Sequence, residues 1–150
     1  MSATRGYFMI YRRVLLLKLT PEEFSLYVFL LSHDFNKEKP NVVFPSYKSM
    51  MEHLTMSGQS ITNNLWCLHD MGLITIRQVI SKYKAGKFEY YLPNIEELDN
   101  LYFQSIIDRI PKAREFKKAR IALQKEKRDK QRNNSKKMKV VSIEKKRMKK

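Results

Sequence analysis

Apolar residues recur at helical spacing over two short neighbouring stretches in the middle of the chain, separated by a turn at residues 55–56. Positions i, i+3, i+4 and i+7 share one face of a helix, so each stretch predicts a short amphipathic helix. The apolar positions are Tyr47, Met50, Met51 and Leu54 in the first stretch, and Ile61, Leu65 and Leu68 in the second.

Residues at the ends of both stretches are typical of helix boundaries. Ser46 and Ser57 are good N-caps, because a serine oxygen can accept a hydrogen bond from a free backbone N–H of the first turn. Gly72 is where the second helix should end in a left-handed residue, and Leu73–Ile74 should begin a strand. The pattern predicts a helix-turn-helix, whose second helix can enter a DNA major groove.

The polar positions of the second helix are candidate DNA contacts, since their side chains can bond base edges or phosphates. The alternative is a corner between two helices in an unrelated domain, with these side chains facing only water. The candidates are Ser57, Gln59, Ser60, Thr62, Asn63 and Trp66.

A β-hairpin is predicted directly after the helix pair, with strands over Leu73–Ile80 and Lys87–Leu92 and a turn rich in Lys and Gly over Ser81–Gly86. This is where the wing of a DNA-binding domain belongs, although an ordinary solvated hairpin is the alternative. The candidate phosphate contacts of the wing and its flanks are Ser46, Lys48, Arg77, Lys82, Lys84 and Lys87.

The region from Tyr7 to Leu92 resembles the winged helix-turn-helix modules of phage and plasmid replication proteins, including DnaD-like replisome organisers, and of bacterial transcription regulators. The resemblance implies an α+β winged helix-turn-helix fold that binds double-stranded DNA in replication initiation or transcription regulation. The family often carries Lys or Arg on the second helix where this chain has Thr62, Asn63 and Trp66. The residues that carry the resemblance are Pro45, Ser46, Met51, Leu54, Ser57, Ile61, Leu65, Leu68 and Met71–Ile74.

Two further elements are predicted before the helix pair. Tyr7–Tyr11 is aromatic and extended in character, which favours a short strand or a packed arm. Thr20–Pro21 is typical of a helix start. The helix that follows should support the helix pair, and Val42–Phe44 should form a short strand. The predicted core face of this helix is Phe24, Tyr27, Val28 and Leu31, widened by Leu26, Phe29 and Leu30.

A post-wing helix is predicted from Pro93–Asn94 to Pro111, which should break or kink it. Its apolar stripe needs a partner, so it either folds back on the first helix or pairs with a second chain; we favour a homodimer slightly. The stripe is Ile95, Leu98, Leu101, Tyr102, Ile106 and Ile110.

Positive charge is concentrated at the end of the chain. The formal net charge is +15, of which residues 112–150 hold +14. We expect a helical stretch to Arg132, disorder from Asn133 onward, and a fold that survives removal of everything after Pro111. Such a tail is typical of a nucleic-acid-binding arm, with RNA, an acidic protein or an anionic membrane surface as the alternatives.

Candidate chemistry is sparse. Cys67 is the single cysteine, the three histidines are far apart in the sequence, and four glycines form no phosphate loop. We therefore expect a non-enzyme with no cofactor, metal or small-molecule substrate. No apolar run reaches the roughly 20 residues of a membrane helix, and Val14–Leu17 is too short for a signal-peptide core. We expect a cytoplasmic, nucleoid-associated protein, bacterial or encoded by a phage or plasmid.

The sequence thus predicts a mainly α, α+β chain with three parts. Residues 1–92 are a winged helix-turn-helix DNA-binding domain, residues 93–111 a post-wing helix, and residues 112–150 a basic helical or disordered tail. The predicted partner is double-stranded DNA. The alternative is a protein-interaction module whose basic tail binds RNA or an acidic partner.

Overall fold

The computed structural model describes residues 10–34, 39–81 and 84–149, and its description excludes the side chains of residues 80, 81 and 84–86. The chain divides into two units, residues 1–117 and 118–150. The described residues form a mixed α+β fold, mostly helical, with a three-stranded antiparallel sheet. In chain order the elements are α1 (Arg12–Leu16), α2 (Pro21–Ser32), β1 (Val42–Val43), α3 (Tyr47–Leu54), α4 (Gly58–Met71), β2 (Thr75–Ser81), β3 (Lys84–Tyr91) and α5 (Asn100–Met148).

The predicted ends of the central helix pair are confirmed. The Oγ of Ser46 accepts a hydrogen bond from the Ser49 N–H, and the Oγ of Ser57 accepts one from the Ser60 N–H, each at 3.1 Å. Gly72 ends α4 at a φ of 84°, a left-handed conformation that glycine adopts without a clash of Cβ. These local signals fix where α3 and α4 begin and where α4 stops.

The start of α2 is also confirmed, and the residues expected to widen its core face are the more deeply buried ones. Thr20 caps the helix and Pro21 occupies its first turn. Leu26 and Leu30 are fully buried, whereas Phe24 is only half-buried. A glutamate is buried on the same helix, and a hydrophobic pattern does not mark such a residue as core.

Glu23 is fully buried and connects α2 to α5. Its carboxylate accepts hydrogen bonds from the Thr20 N–H at 3.1 Å and from Nζ of Lys117 at 3.3 Å, and it lies 3.5 Å from a guanidinium nitrogen of Arg114. Sγ of Cys67, on α4, lies 3.6 Å from the same carboxylate. Burial raises the pKa of Glu23, but the Thr20 hydrogen bond and the two cations outweigh burial, so the net pKa lies below its ordinary value.

Helix α5 begins at Asn100 rather than at Asn94, and it continues through Pro111. Of the break or kink predicted at Pro111, the break is therefore wrong. Ala113, just beyond that proline, is 1% exposed. Because Ala113, Arg114 and Lys117 make contacts within the first unit, we now expect removal of everything after Pro111 to destabilise that unit. The buried residues of α5 are Phe103, Ile106, Ile110 and Ala113.

The apolar stripe, for which we slightly favoured a second chain over packing within the chain, is partly covered within this chain. Ile95 and Ile106 are buried in the core, and Leu98 packs against it. Arg13 fixes the segment between β3 and α5, because its guanidinium donates to the carbonyl oxygens of Ile95 at 3.0 Å and Leu98 at 2.7 Å. The buried members of the stripe therefore pack within this chain, while two others, Leu101 and Tyr102, are exposed.

The predicted hairpin is confirmed, with strands that reach further into its turn than we expected. The sheet order is β1-β3-β2, so β3 is central and pairs with both neighbours in antiparallel register. Tyr90 lies opposite both Val43 and Ile76, and it is buried. Since α4 leads directly into the sheet, the hairpin lies next to the helix pair.

In the second unit, α5 continues to Met148, so the disorder predicted from Asn133 is wrong. Among its described residues only Arg120 and Gln124 are even partly buried. Residues 118–150 hold 15 basic and 3 acidic residues, a net charge of +12. Across residues 10–34, 39–81 and 84–149, no helix combines the length and the apolar character that crossing a membrane requires.

Candidate nucleic-acid interface

The outer face of α4 carries a row of side chains at helical spacing. Gln59, Thr62 and Trp66 are separated by three and four residues, which places them on one side of the helix. Gln59 is exposed, and Trp66 is 37% exposed. Together with the exposed capping residue Ser57, this row is the accessible part of the predicted recognition set.

Thr62 and Ser60 are partly committed to the helix itself. The Thr62 hydroxyl donates to the Gly58 carbonyl at 2.9 Å and lies 3.1 Å from the Tyr47 hydroxyl of α3. Ser60 provides its carbonyl to the Asn64 amide at 2.8 Å. Both side chains are half-buried, so only part of each is accessible to a ligand.

Asn63 was predicted as a base-reading residue, but it is 5% exposed and belongs to the buried side of α4. Asparagine is polar, and the sequence pattern therefore assigned it to the outer face. The structure places it, with the adjacent Asn64, among the buried polar residues. It is therefore removed from the candidate interface.

Both capping serines are exposed at the starts of their helices. Each uses its Oγ as an acceptor for the backbone of its own first turn, at Ser49 and at Ser60. The hydroxyl proton is still free to donate, and helix N-termini also favour anions. Ser46 and Ser57 are thus placed to assist phosphate binding without leaving their caps.

Electrostatically, α4 is nearly neutral. Between Gly58 and Met71 it contains no Lys or Arg, and Asp70 is its one carboxylate. Lys48 of α3 is an exposed cation at the edge of the helix pair. The outer face of α4 can therefore make neutral hydrogen bonds and apolar contacts, but phosphate binding needs cations from other elements.

The hairpin cations are not grouped with α4. In antiparallel pairs, residues directly opposite each other share a face and successive residues alternate. Ile76 opposite Tyr90 and Gln78 opposite Phe88 share one face, while Arg77 lies opposite Glu89 on the other. Lys87, opposite Val79, is on the Arg77 face, and the Arg77 guanidinium lies 5.8 Å from the ring centre of Tyr91.

Arg77 and Lys87 therefore lie on the face of the sheet opposite the one that contacts the helix pair. Lys82 lies outside the described residues, and so does the side chain of Lys84. Both stay predictions. The neutral side chains of the predicted interface thus lie together on α4. Arg77 and Lys87, the two wing cations whose side chains are described, lie apart from them.

A small aromatic cavity lies between the helix pair and the hairpin, with a volume of about 20 Å³. Trp66 and Phe88, which are 37% and 36% exposed, form its accessible rim. Sequence reasoning identified Trp66 but missed Phe88 as its neighbour, although the alternation of β3 could have suggested it. The cavity is lined by Tyr47, Leu65, Trp66, Ile76, Phe88 and Tyr90.

Chemically reactive groups are few among the residues that the structure describes. No group of three or more His, Cys, Asp or Glu side chains in this part of the chain could hold a metal ion. The Cys67 thiol is fully buried, and burial together with the Glu23 carboxylate raises its pKa to about 11. A buried thiol with so high a pKa is a poor nucleophile at neutral pH.

Comparisons with known proteins provide little information about function. No family model matches the chain, and no curated protein matches it. Among solved structures, it is similar to a possible transcriptional regulator from Methanosarcina mazei Go1, at 9% identity and a TM-score of 0.41. The match covers 79% of this chain and 96% of that one. A likeness this weak carries no functional weight, so the function is inferred from the residues.

Proposed function

We propose that this protein binds double-stranded DNA through a winged-helix-type module, with α4 in the major groove. The order of elements supports this: two capped helices joined by a short turn, followed at once by a hairpin. Such an arrangement presents the second helix of the pair to the groove. The mixed α+β fold with its small antiparallel sheet is consistent with a winged-helix fold.

The observation that carries the proposal is the outer row of α4. Gln59 is an exposed amide in the first turn of the helix, where recognition helices meet base edges. An amide side chain can donate to and accept from adenine at the same time. Trp66 adds a large apolar surface two turns further along. This row can discriminate between bases without contributing charge.

Sequence-independent affinity comes from a different part of the chain. Residues 118–150 carry a net charge of +12, compared with +3 for residues 1–117. Cations that neutralise phosphates release bound counterions, which provides affinity for any sequence. In this proposal α4 selects the site, and the basic helix of the second unit holds the protein on DNA.

Gln59→Ala should weaken binding to a preferred duplex, selected from a random-sequence library, much more than binding to a scrambled duplex. A two-bond amide contact to adenine provides about 1–3 kcal/mol of discrimination, roughly a 5- to 150-fold change in relative affinity. Fluorescence anisotropy titrations of both duplexes measure this ratio directly.

Gln104→Ala is the matched control, because Gln104 is an exposed glutamine on α5 whose amide bonds the Asp108 carboxylate at 3.0 Å. It should leave both affinities unchanged. If Gln59→Ala weakens binding to the two duplexes equally, α4 does not read bases and the proposal fails in its central part.

The biological role within DNA binding is transcription regulation or replication initiation. Footprinting on the DNA that flanks the protein's own gene separates the two. A single palindrome near a promoter supports a regulator, and a repeated array supports an initiator.

One observation favours a second candidate function, a protein-interaction module. The α4 surface has no cation and exposes Trp66 beside Phe88, and aromatic side chains are enriched at protein interfaces. In that case the basic unit would bind RNA or an acidic partner. Equal affinity for every duplex sequence, with tight binding to structured RNA, would support this candidate instead.

A further inference from the structure

The aromatic cavity adjoins the outer row of α4, because Trp66 belongs both to that row and to the cavity rim. Phe88 forms the facing rim from β3, and Ile76 and Tyr90 lie on the same face of the sheet as Phe88. A ligand that lies along α4 therefore passes over the opening.

The size and lining of the cavity limit what can enter it. A volume of about 20 Å³ accommodates one group of roughly the size of a water molecule or a methyl. Four of the six lining side chains, Leu65, Ile76, Trp66 and Phe88, are apolar, and the other two are tyrosines, of which Tyr47 pairs its hydroxyl with Thr62 at 3.1 Å. The rim itself is formed by Trp66 and Phe88, so a methyl group that enters between them makes apolar contacts.

We infer that this cavity receives the C5-methyl group of a thymine, so that Trp66 and Phe88 form a methyl-reading subsite. The inference rests on the proposed function, since it requires α4 in the major groove. Among the four DNA bases, thymine alone presents a methyl group there, and proteins read it by apolar contact. An aromatic rim beside a helix without Lys or Arg is suited to this contact and poorly suited to phosphate.

The test uses the preferred duplex from the library selection, synthesised once with thymine and again with each thymine replaced in turn by deoxyuridine. This replacement removes only the methyl group and keeps every hydrogen bond of the base pair. At one thymine position we expect affinity to fall about fourfold, the factor that corresponds to burial of one methyl-sized group. Replacements elsewhere should change affinity little.

Trp66 provides a second readout, because it is the single tryptophan of the chain. Its emission should shift when the thymine duplex binds, and it should shift less with the duplex that lacks the contacted methyl. This signal reports the environment of the cavity rim directly, whatever the total affinity.

Two variants identify the site that reads the methyl. Phe88→Ala removes one side of the rim, and the ratio of thymine to uracil affinity should fall to about one. Phe88 is 36% exposed, so the fold should tolerate the change, which circular dichroism checks. Gln78→Ala is the matched control: Gln78 lies opposite Phe88 but does not line the cavity, and the fourfold ratio should persist.

The outcomes separate this inference from the proposed function. If a preferred duplex is selected but binds equally well with thymine and uracil at every position, the methyl subsite is overturned and the proposed function stands. If the selection enriches no duplex, both are overturned. The wild-type comparison decides the question even if Phe88→Ala does not fold.

Discussion

Replacing Glu23 with alanine should destabilise the first unit by roughly 3 kcal/mol. The carboxylate is fully buried and pairs with Arg114 and Lys117, so its removal leaves two cations near the core without their partner. Breaking a buried ion pair from one side costs about 3–5 kcal/mol. The lower end applies here, because the Arg114 side chain is 35% exposed and keeps part of its hydration. Urea denaturation of the wild type and the variant measures the difference.

The neighbouring Glu22 provides the control. It is in the same first turn of α2 but exposed, so Glu22→Ala should change the free energy of unfolding by less than about 0.5 kcal/mol. Equal effects of the two substitutions would mean that the Glu23 network does not stabilise the fold.

Low pH should weaken the ion pairs of Glu23 with Arg114 and Lys117. Because the pKa of Glu23 is lower in the folded protein than its ordinary value of 4.5, the network stabilises the fold above that pH. The stabilisation is lost as the pH falls through the folded pKa and the carboxylate takes up a proton. Glu23→Gln lacks this ionisation, so the stability difference between wild type and Glu23→Gln should shrink as the pH falls below about 4.5.

Removing residues 118–150 should make the slope of log affinity against log salt shallower by about several phosphate contacts' worth, while the first unit stays folded. The removed segment carries +12 of the +15 net charge. On duplex DNA, log affinity falls against log salt with a slope of about −0.9 for each phosphate neutralised. Affinity for all sequences should therefore decrease together, and preference for the selected duplex should persist because Gln59 and Trp66 remain. Titrations at several salt concentrations measure the slope.

A second truncation, after Pro111, is the matched comparison. It removes nearly the same charge, but it also removes Ala113 and both cations that pair with Glu23. This shorter chain should unfold at a lower urea concentration than the chain that ends at Lys117. An unchanged salt slope after either truncation would mean that the basic segment does not touch DNA, and would favour an acidic protein or a membrane surface as its partner.

Features encoded by neighbouring residues could be predicted from the sequence. The caps at Thr20, Ser46 and Ser57 and the left-handed end at Gly72 depend on contacts within one helical turn. The hairpin followed from an alternating pattern with a turn rich in Lys and Gly. These elements are enough to predict the order of helices and strands around the candidate interface.

Features that depend on distant partners could not be predicted in the same way. Lys117, the partner of Glu23, lies 94 residues further along the chain, so no neighbouring residue marks Glu23 as part of the core. Asn63 is polar and was assigned to the outer face, yet it is buried. The side of the sheet on which Arg77 and Lys87 lie depends on the register of the strands. These three errors concern which way a side chain points, whereas the helix that continues through Pro111 to Met148 is an error about the extent of an element.

The position of α4 on DNA is the central claim, and the chain offers a direct way to test it. Its single natural cysteine, Cys67, is fully buried with a pKa of about 11, so it should resist modification in the folded protein. In a Gln59→Cys variant, the introduced thiol is therefore the accessible one. A DNA-cleaving metal chelate attached there reports which bases lie next to the first turn of α4. Leu101→Cys, at a site on α5 that is 85% exposed, is the control.

The decisive measurement is the cleavage pattern of the selected duplex with the chelate at each position. We expect the chelate on Gln59→Cys to cut a few adjacent nucleotides inside the preferred site, and the chelate on Leu101→Cys to cut weakly and without a fixed position. Absence of localised cutting from Gln59→Cys, or the same pattern from both variants, would contradict placement of α4 in the major groove.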